Sequence, residues 1–151
     1  MTVIYTSAVV FRNLEGEVLT VRKCGTKRFM LVGGKPEPGE TPLQTAVREA
    51  KEEVGIEVCP EHLTLLGLWQ TAAANEPGMD VHCTTYLCTV AISDPGIDHE
   101  IAQLRWVDID SPLPDDLAPM LVERVIPELH HRQAHPDAEP LFDWDVPARP
   151  C

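Results

Sequence analysis

Glu40, Arg48, Glu49, Glu52 and Glu53 stand close together in one short segment. Carboxylates at that spacing suit a hard divalent cation, because clustered oxygens match Mg²⁺ or Mn²⁺ shared with substrate phosphates. If the segment is helical, each residue advances ~100°, so Glu49, Glu52 and Glu53 share an arc of about 100°. They are then expected to converge at the border between core and solvent. The arrangement works against the helix itself. Glu49 repels Glu52 at i+3 and Glu53 at i+4, at roughly 0.2–0.5 kcal/mol per pair. Glu52 and Glu53 also face the negative end of the helix dipole, at ~0.3–1 kcal/mol each. Local rules tend to fail at functional sites, and a bound cation is the compensation this pattern implies. An E-x-x-E-E run alone is more often an acidic solvent face, with Arg48 and Lys51 as passing partners. The residues around it decide between the two.

The helix that carries these groups is well marked. Thr41 reads as N-cap, Pro42 takes the first helical position and Gln44 the third, a capping box with Pro where its missing N–H is harmless. Gly55 is the natural C′ stop. The spacing predicts a helix over Pro42–Val54, with Leu43, Ala46, Val47, Ala50 and Val54 on its core face. Ahead of it, Gly33 and Gly34 allow the backbone to approach a ligand closely.

The whole segment resembles the Nudix hydrolase signature, G-x5-E-x7-R-E-U-x-E-E-x-G-U, where U is bulky and apolar. Gly34, Glu40, Arg48-Glu49, Ala50, Glu52-Glu53, Gly55 and Ile56 fill it without a gap. Chance agreement is on the order of one in a billion per start point. Ala50 is small for its position, and Val32 stands where many members carry Pro; neither change removes a charged group. The resemblance implies an α+β fold, a mixed β-sheet sandwiched between α-helices, and hydrolysis of a nucleoside diphosphate linked to another group. It implies Mg²⁺, with Mn²⁺ able to substitute, held by Glu52, Glu53 and the Gly33 carbonyl. Glu49 is then general base or a further ligand, Arg48 holds a glutamate, and Glu40 is structural or acts on the metal indirectly. Relatives often supply one more acid from the region of Asp98 and Glu100, with Glu100 the candidate here. The loop Gly33-Gly34-Lys35 with Gly39-Glu40-Thr41-Pro42 is similar to the MutT type, which acts on oxidised nucleoside triphosphates. Lys35 and Gly34 are therefore candidates for phosphate contact. A homodimer is also common among relatives.

The remaining chain must build the platform. Tyr5–Arg12 and Val18–Lys23 read as strands joined by the turn Asn13-Leu14-Glu15-Gly16, a hairpin. Arg28–Val32, Leu63–Thr71, Val81–Ile92 and Gln103–Val107 read as further strands. Asp115 or Asp116 is expected to cap a last helix with Leu117, Leu121, Val122 and Val125 on one face, which Pro127 should kink or end. Residues 1–130 then form one domain. Residues 131–151 form a proline-rich tail, with Leu141, Phe142 and Trp144 available to pack it on the body. Arg22, Lys23, Lys27 and Arg28 form a basic island, and Arg22 is taken as a substrate-steering residue. Trp69 and Tyr86 are read as core residues, and His130, His131 and His135 as solvated.

Composition narrows the function classes. The net charge of −12 argues against a nucleic-acid surface. No apolar run approaches a membrane span. Five cysteines without C-x-x-C spacing suggest reduced thiols and a cytoplasmic setting. Three readings compete: a Mg²⁺-dependent nucleotide pyrophosphohydrolase, a non-catalytic nucleotide or nucleotide-sugar sensor on the same fold, and an enzyme for a non-nucleotide diphosphate. The complete glutamate set favours the first.

Overall fold

The computed structural model describes residues 2–98 and 100–135. The element order is β1 (Val3–Val10), β2 (Val18–Lys23), β3 (Val32–Gly34), α1 (Pro42–Val54), β4 (Leu63–Ala72), β5 (Asp80–Cys88), β6 (Ile101–Val107) and α2 (Ile126–Ala134). One sheet has the order β3-β1-β5-β4 and a second pairs β2 with β6. β1 runs parallel to β5 and antiparallel to β3, so the larger sheet is mixed.

β1 explains the layering. Its side chains alternate between the two faces of the sheet. Ala8 and Val10 join a core with Leu66, Leu87, Leu121, Val125 and Leu129, under the C-terminal helix. Val9 and the following Phe11 join a second core with Ala46, Ala50 and Val54 of α1. The sheet is thus covered on both faces, which gives the expected sandwich. Ala50 is wholly buried.

The expected hairpin is not formed as a ladder. The turn is present, with Asn13 Oδ1 accepting from the Glu15 and Glu17 amides, but β2 leaves β1 after one bridge at Arg12–Val18. Both edges of β1 are already taken, by β3 and β5, so β2 pairs with β6 instead. The third strand is also shifted. Phe29 and Met30 make only single bridges, and the ladder begins at Val32.

The C-terminal helix differs from expectation in two ways. Asp116 does not cap it; its carboxylate pairs with Arg105 at 2.6 Å and its carbonyl accepts from the Phe29 amide. Val122 is exposed. At Pro127, expected to kink or end the helix, regular α-helical bonding is interrupted by a π-helical turn at Leu121–Val125, and the helix then runs on to Ala134. A widened turn just before the proline relieves the clash its ring would make. Residues 131–134, expected in the tail, are therefore helical, while Leu141, Phe142 and Trp144 lie outside the described residues. Among the described residues, Cys24, Cys83 and Cys88 carry free thiols. No helix among the described residues is long and apolar enough to cross a membrane.

Candidate active site

α1 forms as its sequence dictates. Gln44 N donates to Thr41 Oγ1 at 3.2 Å and Thr41 N donates to Gln44 Oε1 at 3.0 Å, closing the capping box. Gly55 has φ 68°, the left-handed region that terminates helices. The last carbonyls are then satisfied from a distance: Gly96 N donates to Val54 O and Asp98 N to Glu53 O. The loop leading to Glu100 is thereby stapled to the helix end that carries the glutamates.

The three glutamates do not converge on one point. Glu53 is buried, at 3% exposure. Its Oε1 accepts from the Gly33 amide at 2.9 Å. Its Oε2 is buried without a hydrogen-bond partner and lies 3.5 Å from Lys23 Nζ. At that distance the contact is chiefly Coulombic. Burial pushes the Glu53 carboxyl up to about 7, with the Glu49 charge adding to it; the Gly33 N–H and Lys23 oppose the rise. Glu52 is half exposed and turned to Arg48. Among the described residues, no three Asp, Glu, His or Cys side chains are arranged to hold a metal. The common arc on the helix was the right premise. What separates the carboxylates is the neighbour each meets: the β3 backbone for Glu53, Arg48 and solvent for Glu52.

Arg48 organises the entrance. Its guanidinium reaches Glu40 at 2.6 and 3.0 Å, Glu49 Oε1 at 2.9 Å, Glu52 Oε2 at 3.0 Å and the Lys35 carbonyl at 2.9 Å. Glu40 also accepts from Thr45 Oγ1 and from the Glu37 amide. Hydrogen bonds from Arg48, then from the Glu37 amide, hold the Glu40 carboxyl down to about 2. Bonds to Glu40, then to Glu49, raise the Arg48 guanidinium above its ordinary value. The loop and helix are thus tied by one planar cation with a fork geometry that lysine lacks.

A cavity of about 530 Å³ opens beside this cluster. Its polar lining includes Lys23, Gly33, Gly34, Lys35, Arg48, Glu49, Glu52 and Glu100. Its aliphatic lining includes Met30, Val81, Met120 and Leu121. Glu53 lies behind the polar wall, reached through Gly33 and Lys23. Of the expected substrate residues, Lys35 and Gly34 line the cavity. Arg22 does not: it is engaged with Gln103 Oε1 and the Thr26 carbonyl. Its neighbour Lys23 takes the place. Strand alternation carried that signal, since Leu19, Val21 and Lys23 share a face, and Leu19 and Val21 pack in the α1 core. Glu100 lines the cavity and Asp98 does not. At Gly34 a Cβ would meet the Glu49 carboxylate at 2.6 Å and displace it. Trp69 and Tyr86 pack on the cores. His130 Nε2 lies 2.7 Å from the Ile109 carbonyl.

The family model described as the NUDIX domain matches residues 2–129. The chain belongs to the NUDIX family. Over 60 residues this NUDIX chain is 40% identical to the 8-oxo-dGTP diphosphatase of Escherichia coli, a stretch covering 37% of the chain and 45% of that protein. Over 62 residues it is 34% identical to the RNA pyrophosphohydrolase of Psychrobacter cryohalolentis, covering 41% of the chain and 35% of that protein. The match therefore spans less than half the length of these curated relatives. Among solved structures, the MutT protein of Methanosarcina mazei superposes with a TM-score of 0.66 at 19% identity, over 89% of this chain and 96% of that one. The E. coli ORF135 protein superposes with a TM-score of 0.64 at 25% identity, over 93% and 95%. These likenesses carry the NUDIX fold across nearly the whole chain.

Proposed function

We propose that this protein is a divalent-metal-dependent nucleotide pyrophosphohydrolase. The observation that carries the reading is the buried Glu53 Oε2, left without a hydrogen-bond partner behind a cavity lined by further carboxylates and two lysines. An all-oxygen donor set fits a hard cation, Mg²⁺ or Mn²⁺. Glu53, Glu52 and Glu49 would hold it, with the Gly33 carbonyl, once Glu52 turns from Arg48 toward the cation, and Glu100 lines the same cavity. A bound divalent cation supplies charge neutralisation and an acidified water.

The chain's own residues do the rest. Glu49, aimed at the cavity beside Gly34, accepts the proton of the attacking water. Arg48 fixes the Glu49 carboxylate and closes the loop through the Lys35 carbonyl. Lys35 meets a phosphate oxygen, and the bare backbone at Gly34 lets the phosphates pass close. The aliphatic lining receives the nucleoside. The products are a nucleoside monophosphate and a second phosphate product.

The substrate is taken to be a nucleoside triphosphate, an oxidised one included, in line with the name of the E. coli relative. The Psychrobacter relative is named for RNA, but a chain of net charge −12 offers a long polyanion little attraction. The test is phosphate and pyrophosphate release from a panel with Mg²⁺ or Mn²⁺. It should hold normal and oxidised dNTPs, ADP-ribose, sugar nucleotides, dinucleoside polyphosphates and 5′-triphosphorylated RNA. One strong, metal-dependent hit among the small nucleotides is expected. Tight binding of panel members without turnover would favour the sensor reading instead.

A further inference from the structure

Lys23 is placed where the proposed cation must go. It lines the cavity, whereas Glu53 does not. Its ammonium stands 3.5 Å from Glu53 Oε2, with Lys23 about one-third exposed and Glu53 almost fully buried. That oxygen has no hydrogen-bond partner, so Lys23 is its nearest compensating charge. Backbone pairing fixes where the lysine leaves the sheet. β6 bulges at Ala102, between the partners of Arg22 and Lys23, and the Cys24 amide donates to the Glu100 carbonyl at 2.9 Å. Lys23 thus ends β2 opposite that bulge, on a stem long enough to turn toward the cavity.

We propose that Lys23 is a positioning residue that occupies the cation subsite at Glu53 until a divalent metal displaces it, whereupon its ammonium turns into the cavity toward the substrate phosphates. The reasoning is electrostatic. Glu53 in its buried position needs a positive neighbour, and a divalent ion is the stronger one. Lys23 and the ion cannot share the subsite, because like charges a few ångströms apart repel strongly in a protein environment. Lysine suits such a role: it is a compact point charge on a flexible four-carbon stem. Metal-free, the lysine keeps the carboxylate in place; metal-loaded, it is delivered to the polyanion.

This inference rests on the proposal that Glu53 binds the metal, and its test separates the two. Mn²⁺ binding to the chelator-stripped full chain is measured at pH 8 by electron paramagnetic resonance of free Mn²⁺. Wild type, Lys23→Met, Lys23→Arg and Glu53→Gln are compared. Lys23→Met should bind Mn²⁺ roughly tenfold more tightly or better, since a competing cation has gone. Lys23→Arg should stay near wild type. With the best panel substrate, Lys23→Met should also raise KM more than it lowers kcat. Lys23→Gln repeats the comparison without adding apolar surface, should Lys23→Met not fold. Equal or weaker Mn²⁺ binding in both neutral variants would overturn the role of Lys23. If wild type and Glu53→Gln bind Mn²⁺ alike, or neither binds it, the metal reading at Glu53 fails first and takes the inference with it.

Discussion

Replacing Glu53 with Gln should make the metal-free protein more stable while removing its turnover. The carboxyl is 3% exposed, and burial raises it from the ordinary 4.5 to about 7. A carboxyl whose folded value is raised binds more protons folded than unfolded between those limits. Its contribution to stability is therefore lost as pH rises from 4.5 through 7, and the loss is complete above 7. At 1.36 kcal/mol per pKa unit, the charged form at pH 8 costs about 3 kcal/mol. Gln keeps an acceptor for the Gly33 amide and gives up only the 3.5 Å contact with Lys23. A net gain of about 1–3 kcal/mol at pH 8 corresponds to a rise in Tm of roughly 3–10 °C for a chain of this length. At pH 4.5 the folded wild type already carries the proton, so the gain should largely vanish. The assay is thermal unfolding in EDTA at both pH values, with wild type and Glu53→Gln side by side. A variant less stable than wild type at pH 8, or equally stabilised at both, would refute the reasoning.

Other outcomes follow from the same geometry. Arg48→Lys keeps the charge but cannot reproduce contacts to Glu40, Glu49, Glu52 and the Lys35 carbonyl, so steady-state kcat should fall by roughly tenfold or more with the fold retained by circular dichroism. Gly34→Ala would bring a Cβ to 2.6 Å from the Glu49 carboxylate. That flexible group must swing away, so Tm should change little while turnover drops by at least about tenfold. Glu40 is held down to about 2 by Arg48. The stability it contributes is full above about 4.5 and is lost as pH falls toward 2, so Glu40→Gln should show a flatter acid limb in unfolding midpoint against pH.

What the sequence revealed followed the range of the forces involved. α1 was legible to the residue because its signals are local: the Thr41 cap, Pro42, the Gln44 return and Gly55 all act within one turn. Strand partners were not, because β2 and β6 meet across some eighty residues, and nothing in Val18–Lys23 records that both edges of β1 are taken. Pro127 marked a disturbance of the helix without revealing its form, for a related reason. The rule that proline breaks a helix holds for regular hydrogen bonding, and the π turn at Leu121–Val125 changes that bonding locally. At the site, residue types and spacing identified Glu40, Arg48, Glu49, Glu52 and Glu53 as one group. They did not reveal that Glu53 would be buried under Gly33 while Glu52 stayed in solvent, since that depends on where β3 packs. Choosing between Arg22 and Lys23 needed only the alternation of β2, once Leu19 and Val21 were known to face α1.

The most direct test of the central claim is phosphate release from the best panel substrate as Mg²⁺ is titrated into EDTA-stripped protein, wild type and Glu53→Gln in parallel. Saturable activation by Mg²⁺ is expected in the wild type and near-complete loss in the variant. Turnover in EDTA alone, or equal activation of the two proteins, would contradict it.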